Sequence, residues 1–254
     1  MTQAVMDVKR LVDWIQKQSD LDASRIGLAG ISLGAIIGSL AFAVEPRFSA
    51  CALLLGGADL AHIIWNSPAT IETRNKLRTM GYTEEKLREE LQTVEPLHYF
   101  RKDMSEKVLL VSAQYDDIIP RKAFDRLYED LGEPKTVWVN AGHYGAIVVE
   151  RRLSQLVADF FSARFSGSSY TPPDFLWAPA VRVGLNYNPD YQLSLAIGVD
   201  FWKANARGTV FATGMLSPQG PLLYAGVPVG QRFSVGVVAT KRRVTFGILW
   251  SVIL

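Results

Sequence analysis

The sequence predicts an α/β fold on a parallel sheet, followed by an antiparallel all-β meander, barrel-like or sandwich. Three observations predict it. Up to about residue 165, short apolar runs alternate with amphipathic helical stretches. The segment Gly30-Ile31-Ser32-Leu33-Gly34 joins an apolar run to a helix of small residues. Beyond a Pro-rich stretch at Tyr170 to Pro179, the helical period gives way to strict alternation.

The elements follow in order. Val5, Val8, Leu11, Val12 and Ile15 give Met1–Gln16 the pattern of an amphipathic helix, not of an apolar signal core. The strand at residues 25–31 leads into a helix over Leu33–Val44, whose Gly34, Ala35, Gly38 and Ala41 suit close packing on a sheet. Pro46 ends it. Further strands are expected at Ser49–Leu55, Lys107–Ala113 and Lys135–Asn140. Helices are expected at Arg121–Leu131 and Glu150–Phe165. An insertion at about 58–103 carries helical signals at Ala58–Trp65, Ile71–Met80 and Glu84–Leu91, the last with Thr83 as N-cap. It is expected either to cover the mouth of a site or to pack on the sheet edge.

The organisation expected is a partial α/β domain at 1–168, a Pro-rich junction at 169–180 and an antiparallel β-domain at 181–254. The β-domain shows about six strands in meander order. Its turn signals are Asn188-Pro189-Asp190, Ala206-Arg207-Gly208, Pro218-Gln219-Gly220 and Gly230-Gln231. Both a soluble accessory domain and a membrane-associated sheet are open for it. Trp202, Tyr224 and Trp250 near strand ends suit an interfacial girdle, whereas Asp200 and Arg232 argue against lipid. Six strands are taken as too few to close an outer-membrane barrel alone.

With 48% hydrophobic and 20% charged residues the composition is that of a globular chain, and a net charge of +2 gives no general pull toward nucleic acid. The single cysteine, Cys51, excludes an internal disulfide framework and is expected in a buried strand. Three scattered histidines make no metal-ligand cluster, and neither a Walker loop nor a dinucleotide fingerprint occurs. No cofactor is expected, and Lys241-Arg242-Arg243 reads as a solvated turn.

The chemistry centres on Ser32. A tight strand–turn–helix lifts its hydroxyl above the sheet edge and brings the Leu33 N–H, an oxyanion donor, to the same spot. Gly30 and Gly34 are both read as positions that admit little beyond hydrogen. The competing reading is a serine that merely caps the helix. The base is His143, in Asn140-Ala-Gly-His-Tyr-Gly145 after the fourth strand. His62 and His98 are assigned structural roles. The acid is Asp116, after the third strand and four residues before Pro120, with Asp117 as a cap or surface neighbour.

On these motifs, with Ile119-Pro120 and Gly142-His143-Tyr144, residues from about Asp7 to Phe165 resemble the α/β-hydrolase superfamily. The set is most similar to dienelactone-hydrolase and acetyl-xylan-esterase-like carboxylesterases. The resemblance implies a Ser32–His143–Asp116 triad cleaving small-molecule carboxylic esters through an acyl-enzyme. Thioesterases and peptidases of the same fold stay open. The chain departs from the family in having only about 24 residues before the elbow strand. The strands that would precede it, one of which supplies a second oxyanion donor, are missing. The edge of the elbow strand is therefore expected to be uncovered, and Met1 is expected not to be the native start. A catalytically impaired fragment or binding module, or an envelope-associated scaffold, are the alternatives. Cytoplasm and cell envelope both stay open, and the sequence sets no oligomeric state.

Overall fold

The computed structural model describes residues 1–178, 180–203, 210–230 and 232–254. The chain forms two compact units. One comprises Met1–Val139 and Glu150–Leu176, and the other Asn140–Val149 and Trp177–Leu254.

The first unit is built on a five-stranded parallel sheet in the order β1-β2-β3-β4-β5. The strands are β1 (Ile26–Ile31), β2 (Phe48–Leu54), β3 (Val108–Ala113), β4 (Lys135–Val139) and β5 (Phe175–Leu176). Every residue of β3 is buried, as expected of a central strand covered on both faces. The two-residue β5 pairs with Trp138 and Val139 and lies inside the stretch read from sequence as a junction. Among the described residues no strand pairs with the outer side of β1.

Helix α1 (Thr2–Ile15) buries Val5 and Val12, and Val5 packs with Leu40 and Ala41 of α2 (Leu33–Val44). Its junction with the sheet is fixed by Arg47, which donates to Glu45, Asp13 and Gln16. That guanidinium, its leading cause, holds the buried Glu45 carboxyl below its usual range. Cys51 is fully buried on β2, and burial pushes its thiol up.

The insertion folds as α3 (Leu60–Asn66), α4 (Ile71–Thr79) and α5 (Glu84–Leu91), with short 3-10 turns between. Thr83 caps α5 by accepting from the Lys86 N–H at 3.2 Å. Glu95 accepts from the Asp59 and Leu60 amides at 3.0 and 2.7 Å, satisfying N–H groups at the start of α3 from a distant part of the insertion. Helices α6 (Arg121–Asp130) and α7 (Glu150–Ser166) complete the unit.

The second unit is a closed barrel of six antiparallel strands in meander order. They are β6 (Ala180–Asn188), β7 (Gln192–Lys203), β8 (Phe211–Ser217), β9 (Gly220–Pro228), β10 (Phe233–Ala239) and β11 (Val244–Ile253). The six strands close as the barrel-like alternative expected, β11 pairing with β6 from Ile248↔Tyr187 to Ile253↔Arg182 and β10 with β9. The sequence turn at 206–208 and residue 231 lie outside the described residues. The expected turns at 188–190 and 218–220 join β6 to β7 and β8 to β9.

The barrel interior is mixed, an apolar cluster of Phe211, Met215, Leu222, Tyr224, Val238 and Leu249 lying beside buried polar side chains. Arg182 lies buried inside, bidentate to Asp200 at 2.9 and 2.8 Å, donating to Ser251 at 2.8 Å and stacked over Phe211. Tyr224 is a correction to the girdle expectation. It points inward, stacks on Phe211 and donates to Ser234. Leu222, Tyr224 and Gly226 face in while Leu223, Ala225 and Val227 face out, and both sets contain apolar residues.

Candidate active site

Parallel registers align the carboxyl ends of the sheet: Ile31 with Leu54, Leu54 with Val111, and Ala113 with Val139. Three hydrogen bonds carry the ladder one residue further. Ser32 N–H donates to Leu54 at 2.8 Å, Leu55 to Val111 at 2.7 Å and Gln114 to Val139 at 2.8 Å. The loops after β1 and β3 therefore start from one edge, where a doubly covered parallel sheet places its ligand sites.

Ser32 occupies the N-cap position of α2 with φ 55° and ψ −118°. A non-glycine residue with positive φ is strained, and such strain concentrates at functional positions. Its side chain makes no hydrogen bond to the helix end. Helix capping, the bland role for this serine, is thus not what holds it. The flanking glycines differ. A Cβ on Gly30 would stand 2.3 Å from the Gly34 carbonyl oxygen and 2.8 Å from the Ala35 nitrogen. A Cβ on Gly34 would meet nothing within 4 Å. The expectation that both positions exclude a side chain is corrected: only Gly30 is sterically required, because the turn folds back over it.

The Leu33 backbone opens α2, and its side chain is exposed. Its amide is one of the first N–H groups of the helix, which have no partner within the helix itself.

Asp116 follows β3. Its Oδ1 accepts from the Ile118 and Ile119 amides at 3.0 and 2.8 Å. These bonds orient the carboxylate and shape the turn into Pro120, the N-cap of α6.

His143 follows β4, in the segment 140–149 that belongs to the barrel unit. The sheet unit thus carries the serine and the aspartate, and the other unit carries the histidine. Within that unit the loop is tightly held. Gly142 N–H donates to the Leu254 carbonyl at 2.9 Å, and Asn140 donates to the Ala178 carbonyl at 3.1 Å. A Cβ on Gly142 would stand 2.1 Å from the Ile253 oxygen, and one on Gly145 1.9 Å from the Leu254 oxygen. The glycines flanking His143 thus have a steric reason that sequence could not supply. Tyr144 sits edge-on to the imidazole at 5.3 Å between centroids.

The other histidines have local partners or settings in the insertion. His62 Nδ1 lies 3.1 Å from Glu84 and 2.9 Å from Asn66. His98 lines a charged cleft of about 620 Å³ with Asp59, Arg88 and Lys122. Among the described residues no three His, Cys, Asp or Glu side chains converge as a metal site.

Comparison with known proteins gives relatives and a fold. No family model matches the chain. The uncharacterized protein Rv2627c of Mycobacterium tuberculosis is 32% identical over 151 residues, covering 56% of this chain and 33% of that protein. This chain thus spans about a third of that relative's length. The uncharacterized protein YdjC of Bacillus subtilis is 30% identical over 101 residues, covering 40% of this chain and 87% of YdjC. Among solved structures, 2,6-dihydroxy-pseudo-oxynicotine hydrolase superposes with a TM-score of 0.50 at 20% identity, covering 66% of this chain and 48% of its own. A puromycin hydrolase mutant superposes with a TM-score of 0.53 at 17% identity, covering 66% of this chain and 27% of its own. The sheet unit has the α/β-hydrolase fold, and the chain belongs to the same protein family as Bacillus subtilis YdjC.

Proposed function

We propose that the chain carries the catalytic apparatus of a serine hydrolase acting on carboxylic esters. Ser32 Oγ attacks the acyl carbon while His143 takes the hydroxyl proton. The Leu33 amide stabilises the oxyanion, and Asp116 orients the imidazole. The tetrahedral intermediate expels the alcohol, which receives the proton from His143. Water, deprotonated by His143, then cleaves the acyl-enzyme, giving the acid and returning the proton to Ser32. The reading rests above all on Ser32: a strained strand-to-helix position, with its hydroxyl not spent on the helix. The Ser–Asp–His order along the chain, each residue following a strand of one parallel sheet, adds to it. The likeness most similar to dienelactone hydrolases and acetyl-xylan esterases belongs to this proposal, as does a small ester as substrate.

The test is covalent labelling of the chain by a fluorophosphonate, with turnover of p-nitrophenyl acetate alongside. Labelling at Ser32 that Ser32→Ala abolishes is expected. A second reading, a binding module or impaired fragment, is favoured by the outer side of β1, with which no described strand pairs. Absence of labelling from a folded chain would establish that reading instead.

A further inference from the structure

The barrel is apolar on its outside and mixed within, where Phe211, Met215, Leu222, Tyr224, Val238 and Leu249 cluster beside buried polar side chains. A small barrel in water fills its interior with apolar side chains and turns polar ones outward. Here Arg182, Asp200, Asn186, Ser194 and Ser251 are buried inside. The outer face is apolar on every strand. Leu185, Leu195, Leu216, Leu223, Val237 and Phe246, one from each strand, are 39% to 65% exposed. Among the described side chains, the outer face between the turns carries no charge and no Ser, Thr, Asn or Gln.

We propose that the barrel is embedded in a lipid bilayer, with its outer face against acyl chains. The perimeter favours lipid over a protein partner. A partner or second copy would cover one sector, but this belt runs through all six strands and closes where β11 meets β6 and β9 meets β10. Four of the six strands are long enough. β6, β7, β9 and β11 have 9, 12, 9 and 10 residues, and a tilted strand of about 9–11 residues crosses the hydrocarbon core. β8 and β10 have seven each.

The rims agree. Lys241, Arg242 and Arg243 are exposed in the β10–β11 turn, where headgroup phosphates would lie. Exposed Phe201, Trp202 and Phe233 and the partly buried Trp250 stand toward the opposite end, as an aromatic girdle does. Of the two sequence objections to lipid, Asp200 points inward and is neutralised by Arg182, and Arg232 is exposed just before β10, at the end of the belt. No described helix is long and apolar enough to cross a membrane, so spanning would fall to the barrel.

The experiment reconstitutes the full chain into vesicles of phosphatidylcholine and phosphatidylglycerol and floats them on a density gradient. The chain is expected to float, and Ser32→Ala to float equally, since the serine chemistry plays no part. Leu195→Arg, in mid-belt, is expected to lower the vesicle partition constant read from the floated fraction about 30-fold or more, whereas Gln219→Arg in a turn leaves it unchanged. Brominated acyl chains supply a readout that needs no belt variant. They are expected to quench tryptophan fluorescence, and Trp250→Phe to lose part of that quenching. A chain that stays off the vesicles, monodisperse in buffer without detergent, would overturn the proposal. So would a stable dimer in buffer that Leu195→Arg dissociates, because the belt would then be a protein interface.

Discussion

An alanine at Gly30 would bring its Cβ to 2.3 Å from the Gly34 carbonyl oxygen and 2.5 Å from its carbon. Both are backbone atoms, so no side-chain rotation relieves the clash. An ordinary carbon–oxygen contact needs roughly 1 Å more, and overpacking of this kind costs about 1–3 kcal/mol, or more where backbone must move. In a domain of this size about 1 kcal/mol shifts Tm by roughly 2–4 °C, so Gly30→Ala is expected to lower the transition of the sheet unit by about 2–12 °C. The same movement displaces Ser32, so fluorophosphonate labelling should slow at least tenfold. Gly34→Ala is the matched control. Its Cβ meets nothing within 4 Å, and the position lies in the first turn of α2, where alanine favours helix by up to about 1 kcal/mol. It should melt no lower than the parent and label at a similar rate. The assays are thermal melting by circular dichroism and labelling kinetics on the same preparations. Equal stability and labelling in Gly30→Ala would refute the steric account of the elbow, and so would a Gly34→Ala protein as damaged as Gly30→Ala.

Two further outcomes are expected. Glu45→Gln should lower stability by roughly 1–3 kcal/mol at neutral pH, since Arg47 loses its buried carboxylate partner. The folded-state pKa of Glu45 is depressed, so its contribution is full above the unfolded value near 4.5 and fades as pH falls through the lower folded value. Melting curves of the two proteins should therefore converge in acid, and a gap that widens there would refute the assignment. Gly142→Ala should reduce labelling of Ser32 at least tenfold with little change in the melting of the sheet unit, because its Cβ collides with the β11 end and shifts the His143 loop. Labelling at the parental rate would count against His143 as the base.

What the sequence disclosed was what is local. Helices α2 and α5 begin and end where Pro46, Thr83 and the apolar period put them. The elbow was legible because five adjacent residues encode it. The two-residue β5 was not, since Phe175 and Leu176 are too few to show a period amid prolines. Closure of the barrel depends on the register of β11 against β6, a pairing of distant segments with no local signature. The inward turn of Tyr224 was hidden because alternate residues of β9 are apolar on both faces. Gly30 and Gly34 look equivalent in sequence, and only the path of the turn distinguishes them.

The bond from Gly142 to Leu254 also has a consequence in time. A ribosome delivers the serine elbow before the histidine loop, and the carbonyl that secures that loop later still, just past β11. Its contact is among the most non-local in the chain, and such contacts form late because the intervening segment must first be ordered. A nascent chain would thus display its nucleophile well before its base is anchored. Hydrolytic competence, on the proposed chemistry, would then report completion of the barrel, and a nuclease-stalled translation series could follow that moment residue by residue.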